Sequence, residues 1–177
     1  MTRFFIFLLV PFFCISQKVF VENPAISFFS SAPLEDITAV SNMLEGVLDF
    51  DSGEFFFRIP INSFVFPSSL MQKHFNEKYL ESELYPMSTF KGKINQPLSN
   101  LNDTVLSINS KGLIDIHGVQ KNISIPVDLN ISSHNISFNS VFDVYLKDFR
   151  IKVPKIVRMN IADTVLVNVS GQLIRKK

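Results

Sequence analysis

Apolar and polar residues alternate along most of this chain. The stretch GEFFFRIPINSF, residues 53–64, puts Phe55, Phe57, Ile59 and Ile61 on one face and Glu54, Phe56, Arg58 and Asn62 on the other. That is the period of a half-buried strand. KNISIPVDLNI repeats it with Ile123, Ile125, Val127 and Leu129, and ADTVLVNVSGQL sets Val165, Val167 and Val169 against Leu166, Asn168 and Ser170. LEGVLDF, STFKGKI, TVLSINSKGLIDIHG and NISFNSVFDVYL are shorter stretches of the same kind. Between them stand turn-forming clusters: Asp51-Ser52-Gly53, Gln96-Pro97, Asn100 to Asp103, Ser132 to Asn135 and Asn160 to Asp163. Many short strands at turn-sized spacing predict an antiparallel sandwich or barrel.

One segment breaks the alternation. From Ser68 to Glu83, Met71, His74, Phe75, Lys78, Tyr79 and Ser82 recur at three- and four-residue steps, and β-branched residues are absent. The spacing predicts a single amphipathic helix from about Ser69 to Glu83, capped by Ser68 or Ser69 and closed off before Pro86. It stands directly before a strand, so it is expected to lie across one end of a sheet.

The N-terminus changes the compartment. MTRFFIFLLVPFFCISQ places Arg3 ahead of an apolar run from Phe4 to Ile15, too short to span a bilayer as a helix, with polar chain immediately after. It reads as a secretory signal over residues 1–16, cut after Ser16, leaving residues 17–177 as one domain. The one cysteine, Cys14, would leave with it, so the mature chain has no disulfide to rely on and must be stabilised by packing. Arg3 would leave too, taking the formal charge from +1 to zero. A neutral chain with scattered charges has no nucleic-acid footprint. With 19 phenylalanines and no tryptophan, the interior is built from Phe, Ile, Leu and Val.

Catalytic signals are weak. His74, His117 and His134 lie far apart without metal-ligand spacing, no glycine-rich phosphate loop is present, and no serine stands in a nucleophile elbow. Glu81 and Glu83 are two residues apart, which on a helix directs them to different faces. No specific residue stands behind an enzyme, which would need polar groups such as His117 and Asp148 converging on a cavity. Pattern alone favours a filled apolar core over a ligand cavity, and with it a closed β-domain that binds other proteins through exposed Phe56 and the helix.

Three local motifs shift that balance. HFNEKYLESELYPMSTFKGKI, with a His-Phe pair and a Tyr-Pro dipeptide leading into a Thr-Phe strand, resembles the first signature of the YceI-like family of polyisoprenoid-binding periplasmic proteins. KGLIDIHGVQKNISIPV is similar to the second, with Gly112, Ile114, Ile116, His117, Gly118, Val119 and Lys121 in register, and LKDFRIKVP to the third through Asp148 and Phe149. The order is the family's, over most of the mature chain. Departures are Arg150, where the family often has glycine, Gln120 in place of a usual threonine, and Phe20 as the nearest counterpart of an early aromatic.

The resemblance implies a mainly β fold: an extended antiparallel lipocalin-like barrel of about eight strands, flanked by the one short helix. It implies non-enzymatic carriage or sequestration of an isoprenoid-type lipid, such as a polyprenyl chain or quinone, with no cofactor and no metal. The periplasm, or the medium beyond it, is the implied location; transient membrane contact and a homodimer are compatible with the role. Phe57, Ile59, Ile61, Phe64, Phe75, Tyr79, Phe90, Ile94, Ile114, Ile116 and Phe142 are the candidates for lining the lipid cavity. His117, Lys121 and Asp148 are expected to form a polar network fixing strand ends rather than to meet a lipid head group.

Overall fold

The β-strands follow the alternation closely. The computed structural model describes residues 18–95, 98, 103–132, 135–157 and 159–175; the expected signal, Cys14 and His134 lie outside them. Nine strands occur among these residues: β1 (Lys18–Ser31), β2 (Asp36–Ser41), β3 (Glu45–Asp49), β4 (Glu54–Pro60), β5 (Met87–Lys93), β6 (Thr104–Ile116), β7 (Val119–Ile131), β8 (Ile136–Tyr145) and β9 (Thr164–Arg175). All pairings are antiparallel, and β1 pairs with β9, so β1 and β3 to β9 close an eight-strand barrel. Closure pairs every strand of the ring on both sides, though β7 meets β8 over only four residues.

β2 is the ninth strand. Residues 18–20 of β1 pair with β3 while residues 26–31 pair with β2, so the two short strands share one edge of a long one. The change of partner coincides with a β-bulge in β1 between Glu22 and Ala25, opposite β9. Asn23 there has φ 47°, and Pro24, which has no N–H to give to a ladder, occupies the bulge.

Inward positions follow the predicted faces. Phe55, Ile59 and Ile61 are buried and Phe56 faces out; Ile125 and Leu129 are buried on β7; Leu166 on β9 is exposed between Val165 and Val167. The adjacent pair Phe28-Phe29 resolves with Phe28 inward and Phe29 out.

The two barrel ends differ. At the end holding the β3–β4 turn, Phe50 and Leu98 are almost wholly buried, and the Leu98 N–H donates to the Phe50 carbonyl at 3.0 Å. With Val19, Ile131 and Leu173 they plug it. The opposite end receives the helix and the long connection between β8 and β9.

The helix is shorter than its periodicity predicts. α1 (Ser69–His74) starts at Ser68, whose hydroxyl accepts the Met71 N–H at 3.4 Å, and continues as a π-helical turn over Phe75–Tyr79. Instead of reaching Glu83, it ends as Leu80 N–H bonds back to Phe75 O and Glu81 takes φ 43°. Tertiary contact sets the stop: Leu80 is buried in an apolar cluster with Ile61, Ile114, Phe149 and Ile151, and Glu81 turns aside to reach His117.

Candidate functional site

The barrel is hollow. A cavity of about 510 Å³ runs through its interior, within the range of pockets that hold small organic ligands. All eleven residues expected at the cavity line it: Phe57, Ile59, Ile61, Phe64, Phe75, Tyr79, Phe90, Ile94, Ile114, Ile116 and Phe142. Other residues line it equally, among them Phe28, Leu48, Phe55, Phe66, Leu129 and Phe138. Alternation marked Phe55 and Leu129 as inward. Phe28 and Phe66 carried no comparable signal, because Phe28 has an aromatic neighbour and Phe66 lies outside any strand.

Two groups of rings shape the walls. Beneath the helix, Phe75 packs against Phe28, Phe64 and Phe66 with centroids 4.9 to 5.8 Å away. Across the sheet, Phe55 meets Phe90 at 4.9 Å, and Phe57 reaches Phe138 at 6.2 Å. Phe57 can lie flat on the wall because Gly46 is its cross-strand partner; a Cβ at Gly46 would sit 2.2 Å from the ring.

The buried serines in the wall already have partners. Ser110 Oγ donates to Ile125 O at 3.0 Å, Ser140 Oγ to Pro126 O at 2.6 Å, and Ser30 Oγ accepts the Ala162 N–H at 3.1 Å. The interior therefore presents hydrocarbon with few unmet donors or acceptors. Charged lining residues are confined to Glu35, Arg58 and His74, and Arg58 is held by Glu45 at 2.6 Å. Burial pushes the Tyr79 phenol above the ordinary tyrosine value. Among the described residues no group of three His, Cys, Asp or Glu side chains is placed to hold a metal ion.

The three motifs converge outside the cavity. His117 and Gly118 form the two-residue turn between β6 and β7, both with positive φ (55° and 68°), the requirement of the tight hairpin that joins Ile116 to Val119. Tyr85 lies against this turn, its ring centroid 4.6 Å from that of His117, and a Cβ on Gly118 would stand 2.5 Å from a Tyr85 ring carbon. His117 Nε2 is 2.7 Å from Glu81 and Nδ1 is 3.1 Å from the Phe149 carbonyl. Lys121 meets Asp148 at 3.0 Å.

His117 and the Lys121–Asp148 pair thus make separate contacts on neighbouring segments. The acid facing His117 is Glu81, 36 residues away in the chain, and Asp148 is engaged by Lys121 instead. No His117–Asp148 pair forms, and neither residue lines the cavity.

These contacts border a seam. β7 pairs with β8 only over Asp128–Ile131 against Ile136–Asn139, so the half of β7 nearest the helix has no ladder on that side. Leu146, Phe149 and Ile151 fill the gap by packing with Ile114, Val119 and Ile123. Lys121 and His117 hold that plug from β7 and its turn.

A closed antiparallel ring around an apolar cavity defines a hollow barrel of the lipocalin-like class. Within that class the chain belongs to the YceI-like domain family, which matches residues 22–173. Its fold is similar to that of a polyisoprenoid-binding domain from Saccharophagus degradans implicated in plant cell wall breakdown, with TM-score 0.77 and 15% identity over 92% of this chain and 100% of that one. It is also similar to BcnA of Burkholderia cenocepacia (TM-score 0.73, 17% identity, covering 87% and 99%) and to the YceI protein of Campylobacter jejuni (0.60, 19%, 76% and 81%). No curated protein matches the chain.

Proposed function

We propose that this protein binds the hydrocarbon chain of an isoprenoid-type lipid, a polyprenyl chain or quinone, and carries or sequesters it without catalysis in the bacterial periplasm. The carrying observation is the cavity: about 510 Å³ of space walled by Phe, Ile, Leu and Val, whose buried serines turn their hydroxyls to backbone carbonyls and amides. The polyisoprenoid-binding description of the Saccharophagus degradans domain supports the same ligand class. Export is supported by the leader-like start of the sequence.

Magnitudes favour a long chain. Each methylene withdrawn from water contributes about 0.8 kcal/mol. Association costs on the order of 4–15 kcal/mol before any net affinity appears. A cavity walled mainly by hydrocarbon therefore binds tightly something with roughly ten or more carbons to bury. Short polar metabolites gain little there.

Native mass spectrometry of the mature protein, expressed with its own leader and purified without detergent, tests the reading. A stoichiometric adduct of isoprenoid mass, recovered by solvent extraction, is the expected result. Protein that stays bare after incubation with polyprenyl phosphates and quinones would overturn it.

A further inference from the structure

Four aliphatic side chains at the open end face solvent: Ile156 is 89% exposed, Leu34 68%, Leu70 60% and Met159 52%. Each is next in sequence to a residue lining the cavity, respectively Val157, Glu35, Met71 and Asn160. They come from three separate segments: the β1–β2 turn, α1 and the β8–β9 connection. The Leu34 N–H donates to the Met159 carbonyl at 2.9 Å, joining two of the segments directly. The apolar rim is thus continuous with the cavity it surrounds.

Its charge is uneven. In the β8–β9 connection, Lys147, Arg150, Lys152 and Lys155 are exposed, while Asp148 is taken up by Lys121. Arg150, Lys152 and Lys155 have no carboxylate within ion-pair distance among the described residues. Glu35 and Asp36 stand on the β1–β2 side, and Lys73, Glu77 and Lys78 on the helical segment offset one another in part. On a chain whose formal charge is only +1, the β8–β9 connection is a local concentration of cations beside exposed aliphatic residues.

We propose that the open end docks on an anionic lipid bilayer. Ile156, Met159, Leu34 and Leu70 enter the headgroup region, and Arg150, Lys152 and Lys155 meet lipid phosphates. Exposed aliphatic groups combined with cations are what an anionic interface binds. A second copy fits less well, since a two-fold contact on this face would set the basic connection near its own copy. Docking this way would turn the cavity mouth toward the phase that holds its cargo, and in that respect the inference rests on the lipid-binding reading.

Co-sedimentation with vesicles tests it, using phosphatidylcholine alone and phosphatidylcholine mixed with phosphatidylglycerol, neither containing isoprenoid. Binding to the anionic vesicles is expected to exceed binding to the neutral ones by roughly tenfold or more and to fall as salt is added. K152E/K155E removes the anionic preference, and I156S/M159S lowers binding to both, with unfolding midpoints kept because the positions are exposed. Failure to bind the anionic vesicles, indifference to both variants, or a dimer that I156S/M159S dissociates would each overturn the proposal. Uptake of polyprenyl phosphate from detergent micelles is measured in parallel. Vesicle binding without uptake upholds docking and removes the lipid-carrier reading, whereas uptake without vesicle binding removes docking alone.

Discussion

Glu81 and His117, 36 residues apart in the chain, meet at 2.7 Å and tie the end of the helical segment to the β6–β7 turn. The other imidazole nitrogen is 3.1 Å from the Phe149 carbonyl. One side chain therefore ties together the end of the helical segment, the β6–β7 turn and the β8–β9 connection.

Removing that side chain should destabilise the barrel. His117→Ala leaves a carboxylate and a carbonyl without their partner and puts alanine at positive φ, costing about 2–3 kcal/mol. His117→Asn, which tolerates the left-handed conformation, should lose less. Urea unfolding of both variants checks the order; equal losses would show that the imidazole contacts, which both variants lack, and not the backbone set the cost.

Gly118→Ala should cost more than about 1 kcal/mol, because its φ of 68° disfavours any Cβ and the Tyr85 ring occupies the space. Tyr85→Ala in the same chain relieves the contact but not the backbone. The double variant should accordingly recover only part of the loss, read from unfolding midpoints in a double-mutant cycle.

Arg150 follows the plug at φ 57°, a conformation that favours glycine. Arg150→Gly should raise stability by up to about 1 kcal/mol, the relief of left-handed strain less the entropy glycine loses on folding. A fall in the thermal midpoint would mean that the guanidinium makes a stabilising contact worth more than the strain.

Filling the cavity should abolish lipid retention while sparing the fold. Val127 and Val167 line it and are only partly buried, so Val127→Phe with Val167→Phe adds bulk to open space rather than to packed core. Native mass spectrometry should find the double variant folded and without adduct; an adduct as abundant as in the parent protein would place the cargo elsewhere.

Tyr79 should ionise above the ordinary tyrosine value, because burial disfavours the phenolate. The folded state holds that proton more tightly than the unfolded chain. Its contribution to stability is therefore complete below the unfolded value and lost as pH rises through the folded one. Near-ultraviolet phenolate absorbance, wild type minus Tyr79→Phe, gives the midpoint, and bound lipid should move it higher by excluding more water.

Period-two alternation determined the inward faces of the strands it marked, because a pleated strand with one wet side admits little else; that is why Phe57, Ile59, Phe90, Ile114, Ile116 and Phe142 face one cavity. The helix start was legible for a local reason as well, since Ser68 caps through a hydrogen bond within its own first turn. Its end was not, because Glu81 leaves the helix to reach a histidine that sequence distance hides. Nor does a pattern of Phe and Ile say whether the rings meet in the middle: the same inward faces fill a flattened sandwich or wall a hollow ring. The tertiary structure decided that: β1–β9 pairing closes eight strands into a ring wide enough either to be filled or to hold a ligand, and the way these side chains pack leaves the cavity open.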